Sequence, residues 1–233
     1  MRMAVSALLA LMMTGCGVTT NVQNKIVERT GELTYVHDSE PARTMNAVAI
    51  AVRSFSVDDV LPPATTVREV DSSTLPLLVY NKWTEDMRAQ LGYDRLKNDY
   101  KAFMRERFLA ELKRSGVHEF REGTADLILT VRVRKLEMSA PIRHEGTFIF
   151  LLFIIGGGHY YAAGPVSVAV QADVTVERGG ATVLSGTFVG KHVTTILAGN
   201  NVQLQDYTVA MIEGVSMAVK DLNERIVAAT NRI

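Results

Sequence analysis

Hydrophobic positions recur along this chain with two periods. Val166, Val168, Val170, Ala172, Val174 and Val176 alternate with Ser167, Ala169, Gln171, Asp173, Thr175 and Glu177. A period of two is that of a strand with one buried face. Arg178-Gly179-Gly180-Ala181 reads as a hairpin turn, and Thr182 to about Thr194 as the returning strand, with Leu184 and Phe188 on one face. Two earlier strands are read at 47–55, rich in small and β-branched residues, and at 126–134. In the latter, Leu127, Leu129, Val131 and Val133 point one way, and Thr130, Arg132 and Arg134 the other. The helical period appears twice. Tyr100, Phe103, Met104, Phe108 and Leu112 mark a helix over 98–115, stopped at Ser115-Gly116. Leu204, Tyr207, Met211, Val215, Ala218, Leu222 and Ile226 mark a long one over about 201–230, whose stripe is expected to cover a sheet. These elements predict an α+β fold in the order β-α-β-β-β-α. The expected architecture is a four-stranded, mostly antiparallel sheet with two helices on one face, in a single domain over 46–233.

Two stretches stand outside that pattern. Residues 56–97 form a long excursion carrying Pro62-Pro63 and Pro76, with a short helix expected at 81–91. Residues 147–165 open with Thr147-Phe148-Ile149-Phe150-Leu151-Leu152-Phe153-Ile154-Ile155 and continue through a triple glycine to His159-Tyr160-Tyr161. The apolar run is too short for a spanning helix and close to the length of a membrane-crossing strand, about nine to eleven residues. It lacks the alternation of a barrel strand. Three readings stay open: a strand buried on both faces, an exposed hairpin that meets a partner or a second copy, and a segment that dips into the bilayer. Burying eight large apolar side chains is worth more than about 10 kcal/mol, at roughly 1.5–3 kcal/mol each. A lone molecule would not leave them in water. Phe148, Phe150, Leu151, Leu152, Phe153, Ile154, Ile155, Tyr160 and Tyr161 are therefore the candidate partner or membrane contacts.

The chain begins with a positive Met1-Arg2-Met3, an apolar stretch to Met13, and Thr14-Gly15-Cys16. That is the layout of an export signal, read here as residues 1–15. Met13-Thr14-Gly15-Cys16 resembles the lipobox of bacterial lipoproteins, with Met13 where leucine is usual. The resemblance implies lipidation of Cys16 with a diacylglycerol group and an N-acyl chain, which together anchor stably where one chain is marginal. Gly17, where aspartate would favour the inner membrane, points to the periplasmic face of the outer membrane. Residues 16–45 are read as a lipidated N-terminus and a polar tether.

Composition narrows the functions. There are 25 basic and 25 acidic residues, and the expected cut removes one Arg, so the remainder carries 24 − 25 = −1. Such a chain offers neither the basic surface of a nucleic-acid binder nor a polybasic patch for anionic lipids. Cys16 is the sole cysteine, which rules out an intrachain disulfide. There is no Gly-x-Ser-x-Gly elbow and no His-Glu-x-x-His helix. The histidines at 37, 118, 144, 159 and 192 are scattered in sequence, and Asp58-Asp59 are neighbours on a loop. No catalytic residue, metal site or cofactor is predicted, and the chain is not expected to be an enzyme.

The chain resembles small Gram-negative envelope lipoproteins: the auxiliary lipoproteins of ABC-type lipid transport (PqiC-like), YajG-like lipoproteins and LptE. The resemblance rests on Thr14-Gly15-Cys16-Gly17, the strand at 47–55, Leu112-Lys113-Arg114-Ser115-Gly116-Val117, Ala125-Asp126-Leu127-Ile128-Leu129, and the hairpin at 166–194 before a long helix. The excursions at 56–97 and 147–165 depart from that outline. The resemblance implies an accessory or interaction subunit of an envelope transport or assembly complex. The alternatives are an oligomeric, secretion-linked lipoprotein resembling the CsgG type, with apolar hairpins that gather into a ring or insert in the membrane, and a lipid-binding lipoprotein.

Overall fold

A computed structural model describes residues 15–38, 40–41, 46–76, 80–151, 154–194 and 204–233. The chain is α+β, with two sheets and three helices among the described residues. The helices are α1 (Gly15–Val27), α2 (Tyr100–Ser115) and α3 (Leu204–Thr230). The strands are β1 (Asn46–Val57), β2 (Thr66–Pro76), β3 (Tyr80–Gln90), β4 (His118–Phe120), β5 (Leu127–Ser139), β6 (Pro141–Leu151), β7 (Ile154–Ala163), β8 (Val166–Arg178) and β9 (Ala181–Thr194).

The first sheet has the order β4-β1-β5-β8-β9. It holds all four strands expected from the sequence, extended by the three-residue β4. β1 pairs in parallel with β4 and β5, whereas β5, β8 and β9 are antiparallel neighbours. The sheet is thus mixed and not mostly antiparallel: β1 reaches its neighbours in this sheet only by a long crossover through β2, β3 and α2, which is the kind of connection that parallel strands need. The alternating residues of β8, from Val166 to Val176, are at most 2% exposed. Gly179 (φ 56°) and Gly180 (φ 83°) make the β8–β9 turn, a conformation that needs residues free of Cβ crowding.

α2 packs on β1, with Phe108 against Phe55 at 5.1 Å between rings, and begins at Asp99, whose carboxylate accepts the Lys101 and Ala102 N–H groups. α3 lies over β8 and β9. Every residue of its expected stripe is buried. At Gly190 the approach is so close that an added Cβ would sit 2.1 Å from the Ala218 carbonyl oxygen and 2.4 Å from the Leu222 nitrogen.

Three expectations are corrected. The chain does not run simply β-α-β-β-β-α, because the two excursions form a second sheet of order β2-β3-β6-β7. The helix expected at 81–91 is strand β3. Trp83, Met87 and Leu91 are spaced by four, which suits a helix, but every second residue of a strand also shares a face. The segment read as a tether is packed on the domain. Val22 and Ile26, one helical turn apart in α1, are fully buried, and α1 lies against α3 and β2. Beyond α1, a strap over residues 31–38 is pinned by polar contacts. Leu33 N–H donates to Asn98 Oδ1, and Thr34 N–H to Ser216 Oγ, each at 3.1 Å. The fully buried Glu111 accepts the Tyr35 hydroxyl at 3.1 Å and shares a 2.9 Å hydrogen bond with His37 Nδ1. Burial and the Glu111 carboxylate push the Tyr35 phenol above its ordinary pKa.

Candidate interaction surface on the second sheet

The second sheet is two hairpins laid side by side. Within the first, Thr66 pairs with Gln90 and Pro76 with Asn81. Within the second, Ile142 pairs with Ala163 and Leu151 with Ile154. The hairpins join through β3 and β6, from Arg88 opposite Pro141 to Tyr80 opposite Ile149. This register sets both hairpin ends at the same end of the sheet. The described residues that converge there are apolar from both sides: Leu75 and Tyr80 from one hairpin, and Phe148 to Leu151, Ile154 and Ile155 from the other. The two excursions, some sixty residues apart where they pair, are therefore one structure.

The opposite end, the base, is fixed to the rest of the fold. Met87, Ala89, Ile142 and Ala163 are buried there. The Tyr207 hydroxyl of α3 donates toward the Pro141 carbonyl at 2.8 Å and the Gly164 carbonyl at 3.2 Å, tying α3 to β6 and to the end of β7. α1 crosses the base. Gln23 bonds the start of β2, while Lys25 lies 5.7 Å from the Tyr161 ring on β7.

The two faces differ. One carries a cluster of rings: His144 stacks on Tyr161 at 4.5 Å, with His159 edge-on at 5.3 Å and Trp83 at 6.4 Å. His144 Nδ1 shares a 3.1 Å hydrogen bond with Glu85, and its Nε2 is buried without a hydrogen-bond partner. Gly146 makes room for the indole, since a Cβ there would lie 2.0 Å from Trp83. The other face is charged. Arg143 forks onto Asp86 at 2.7 and 3.1 Å, and Glu145 meets Lys82 at 3.4 Å and the Tyr160 hydroxyl at 2.5 Å.

The sequence-predicted contacts fall as follows. Ile149 and Tyr160 are exposed, at 40% and 44%, and Phe148 and Tyr161 are half-buried. A strand buried on both faces does not fit Ile149. Tyr160 sits on the charged face and Tyr161 on the ring face, so the pair does not act as one patch. The backbones of Phe150, Leu151, Ile154 and Ile155 lie in β6 and β7, and Cys16 lies in α1. Leu152 and Phe153 lie outside the described residues, as do residues 77–79 and 1–14 of the export signal. Asp58 and Asp59 do not converge: Asp58 pairs with Arg132 and Asp59 with Lys101. Among the described residues, no group of three or more His, Cys, Asp or Glu is placed to hold a metal ion. Sequence reasoning missed Trp83, Glu85, Gln23 and the Glu111 clasp. A glycine at 146, midway along β6, was the one available signal of a large ring lying across the strand.

No family model and no curated protein matches the sequence. Among solved structures, the chain is similar to protein XCC0632 from Xanthomonas campestris, assigned to the family DUF330. The identity is 10%, the TM-score 0.40, and the match covers 88% of this chain and 95% of that one.

Proposed function

We propose that this protein is a non-catalytic lipoprotein, anchored through acyl chains on Cys16 at the periplasmic face of the outer membrane, that assembles with copies of itself through the second sheet and carries the sheet's apolar end into the bilayer. The observation that supports this reading is the register, which gathers Leu75, Tyr80, Phe148–Leu151, Ile154 and Ile155 at one end of an antiparallel sheet whose outer strands are β2 and β7. β2, β3, β6 and β7 are 11, 11, 11 and 10 residues long, about the length of membrane-crossing strands.

Strand direction supports it as well. β2 runs from base to apolar end, β3 returns, β6 runs out and β7 returns. A second copy's β2 beside β7 would therefore continue the antiparallel order, and four strands per copy would always give an even total. The face bearing Lys82, Asp86, Arg143 and Glu145 would suit a water-filled interior. Such an assembly fits a secretion-associated role.

The accessory-subunit reading has its own observation. β9 is a 14-residue open edge of the first sheet, with Val183 and Val193 exposed at 43% and 58%. It offers a ladder for an extended segment of another envelope protein.

One experiment weighs both. The protein is extracted from membranes in detergent, its mass is measured by analytical ultracentrifugation, and crosslinking in intact cells identifies neighbours. Multiples of the single-chain mass support self-assembly. A monomer crosslinked to one envelope protein supports the accessory role instead. A monomer that captures nothing overturns both. The anchor is tested separately: Cys16→Ser should abolish acyl labelling and release the protein from membranes. Continued membrane binding by Cys16→Ser would leave the apolar end as the anchor.

A further inference from the structure

β2 is an outer edge of the second sheet, but the base of that edge is already occupied. Val67 N–H donates to Gln23 Oε1 at 2.5 Å, and Gln23 Nε2 donates to the Thr65 carbonyl at 2.6 Å. These two groups flank Thr66. They are the pair that a single residue of a parallel neighbouring strand would take. The side-chain amide of Gln23 thus stands in for one residue of a neighbouring strand.

Gln23 is not a loose surface side chain. It sits on α1 between the buried Val22 and Ile26. The end of that helix is held by Thr208 Oγ1, which donates to the Ile26 carbonyl, by Arg95, which donates to the Val27 carbonyl at 2.5 Å, and by the Arg29–Asp206 ion pair just beyond. Past Val67 the edge changes. The β2–β3 register shifts between Glu69 and Asp71, a bulge that re-aims the strand. From there to Leu75 the side chains are exposed, Val70 by 55% and Leu75 by 58%.

We infer that Gln23 caps the base of the β2 edge, so that a second copy's β7 pairs with β2 only over residues 69–76, the half nearest the apolar end. The inference rests on the self-assembly proposed above and specifies its register. Ala163, the last residue of β7, lies level with Glu69 through Ile142 and Met87, so barring residues 66–68 stops a neighbour's β7 from slipping toward the base and holds the copies level. The helix that leads to the anchor would therefore set how copies join.

The test uses full-length lipidated protein in detergent. Gly158 of β7, where a Cβ meets nothing within 4 Å, is changed to cysteine. A second cysteine is moved stepwise from Val67 to Leu75 on β2, and disulfide-linked multimers are scored. Within one copy the two strands are separated by β3 and β6, so only neighbouring copies can be linked. The expected result is a maximum beyond Val70 that moves at least two residues toward Val67 in Gln23→Ala, because a slip by one would flip every side chain to the other face. Unchanged Trp83 fluorescence verifies that the variants are folded. A maximum that stays in place in Gln23→Ala, in protein that still crosslinks, overturns the cap and leaves self-assembly standing. No crosslink at any position, with or without Gln23, overturns self-assembly and the cap together.

Discussion

The burial of Ile26 decides whether the N-terminal segment is a tether or part of the fold. Ile26→Ala removes three carbons from a side chain with no exposed surface. At about 0.8 kcal/mol per buried carbon the transfer loss is roughly 2.4 kcal/mol, and the cavity left against α3 raises the total into the range of about 2–5 kcal/mol. The measurement is urea unfolding followed by circular dichroism, in a Cys16→Ser background that removes any contribution from lipid. With a slope of about 2–3 kcal/mol per molar urea, the midpoint should fall by on the order of 1 M. Val22→Ala should act in the same direction with about two-thirds of the effect, since two carbons are lost. Asn24→Ala, on the exposed side of the same helix, should stay within about 0.5 kcal/mol. If Ile26→Ala also stays within 0.5 kcal/mol, α1 is not docked and the tether reading is restored.

Gly190→Ala drives a Cβ into the α3 backbone and should cost about 1–3 kcal/mol or more, read as a lowered melting temperature. Tyr207→Phe removes the hydroxyl that serves the Pro141 and Gly164 carbonyls; a loss of about 1–3 kcal/mol is expected by urea unfolding, and no loss would mean that the base of the second sheet is held without it. Gly146→Ala should displace the chain's single tryptophan and shift its fluorescence, and an unmoved spectrum would contradict the ring packing. Burial raises the pKa of the Glu224 carboxyl against the pull of Lys220. A raised carboxyl favours the folded state below its unfolded pKa, about 4.3, and loses that contribution as pH climbs through the folded value. Glu224→Gln should therefore be more stable than the parent at pH 7 and no more stable at pH 4, by thermal melting at both.

The first sheet was legible chiefly where a strand faces two different environments. In β5 and β8 valine and leucine turn to the helices and polar residues turn away, so period two is written in the sequence. The long helix was legible for the same reason, through a stripe from Leu204 to Ile226. The second sheet was not. In β3 both faces carry charge, Glu85 toward His144 and Asp86 toward Arg143, and the alternation cancels. In β6 the polar residues cease near Thr147, and the apolar run gives no period at all. What turns the two excursions into one sheet is the pairing of 80–88 with 141–149, a contact between residues distant in sequence that local pattern does not encode. The helix α1 escaped notice because, of its side chains with described burial, Val22 and Ile26 are the buried ones, and two residues in a polar stretch look like chance. The apolar run at 147–155 stands out in the sequence, whereas Leu75 and Tyr80 gain meaning only from the register.

The docking of α1 also sets how far this protein can act from its proposed anchor. A flexible chain over residues 17–44, 28 residues long, would wander about 30 Å from a lipid on Cys16, at roughly 5–6 Å times the square root of its length. Instead, Cys16 is the second residue of a helix in which Val22, six residues further on, is already inside the domain. At 1.5 Å per residue that leaves about 9 Å between lipid attachment and core. A protein moored so short cannot reach across the periplasm or tumble freely above the bilayer. If Cys16 carries the lipid, the domain would move as a raft in the membrane plane with one side always turned to the lipid, its encounters would be two-dimensional, and anything met from the opposite membrane would have to come the whole distance to it.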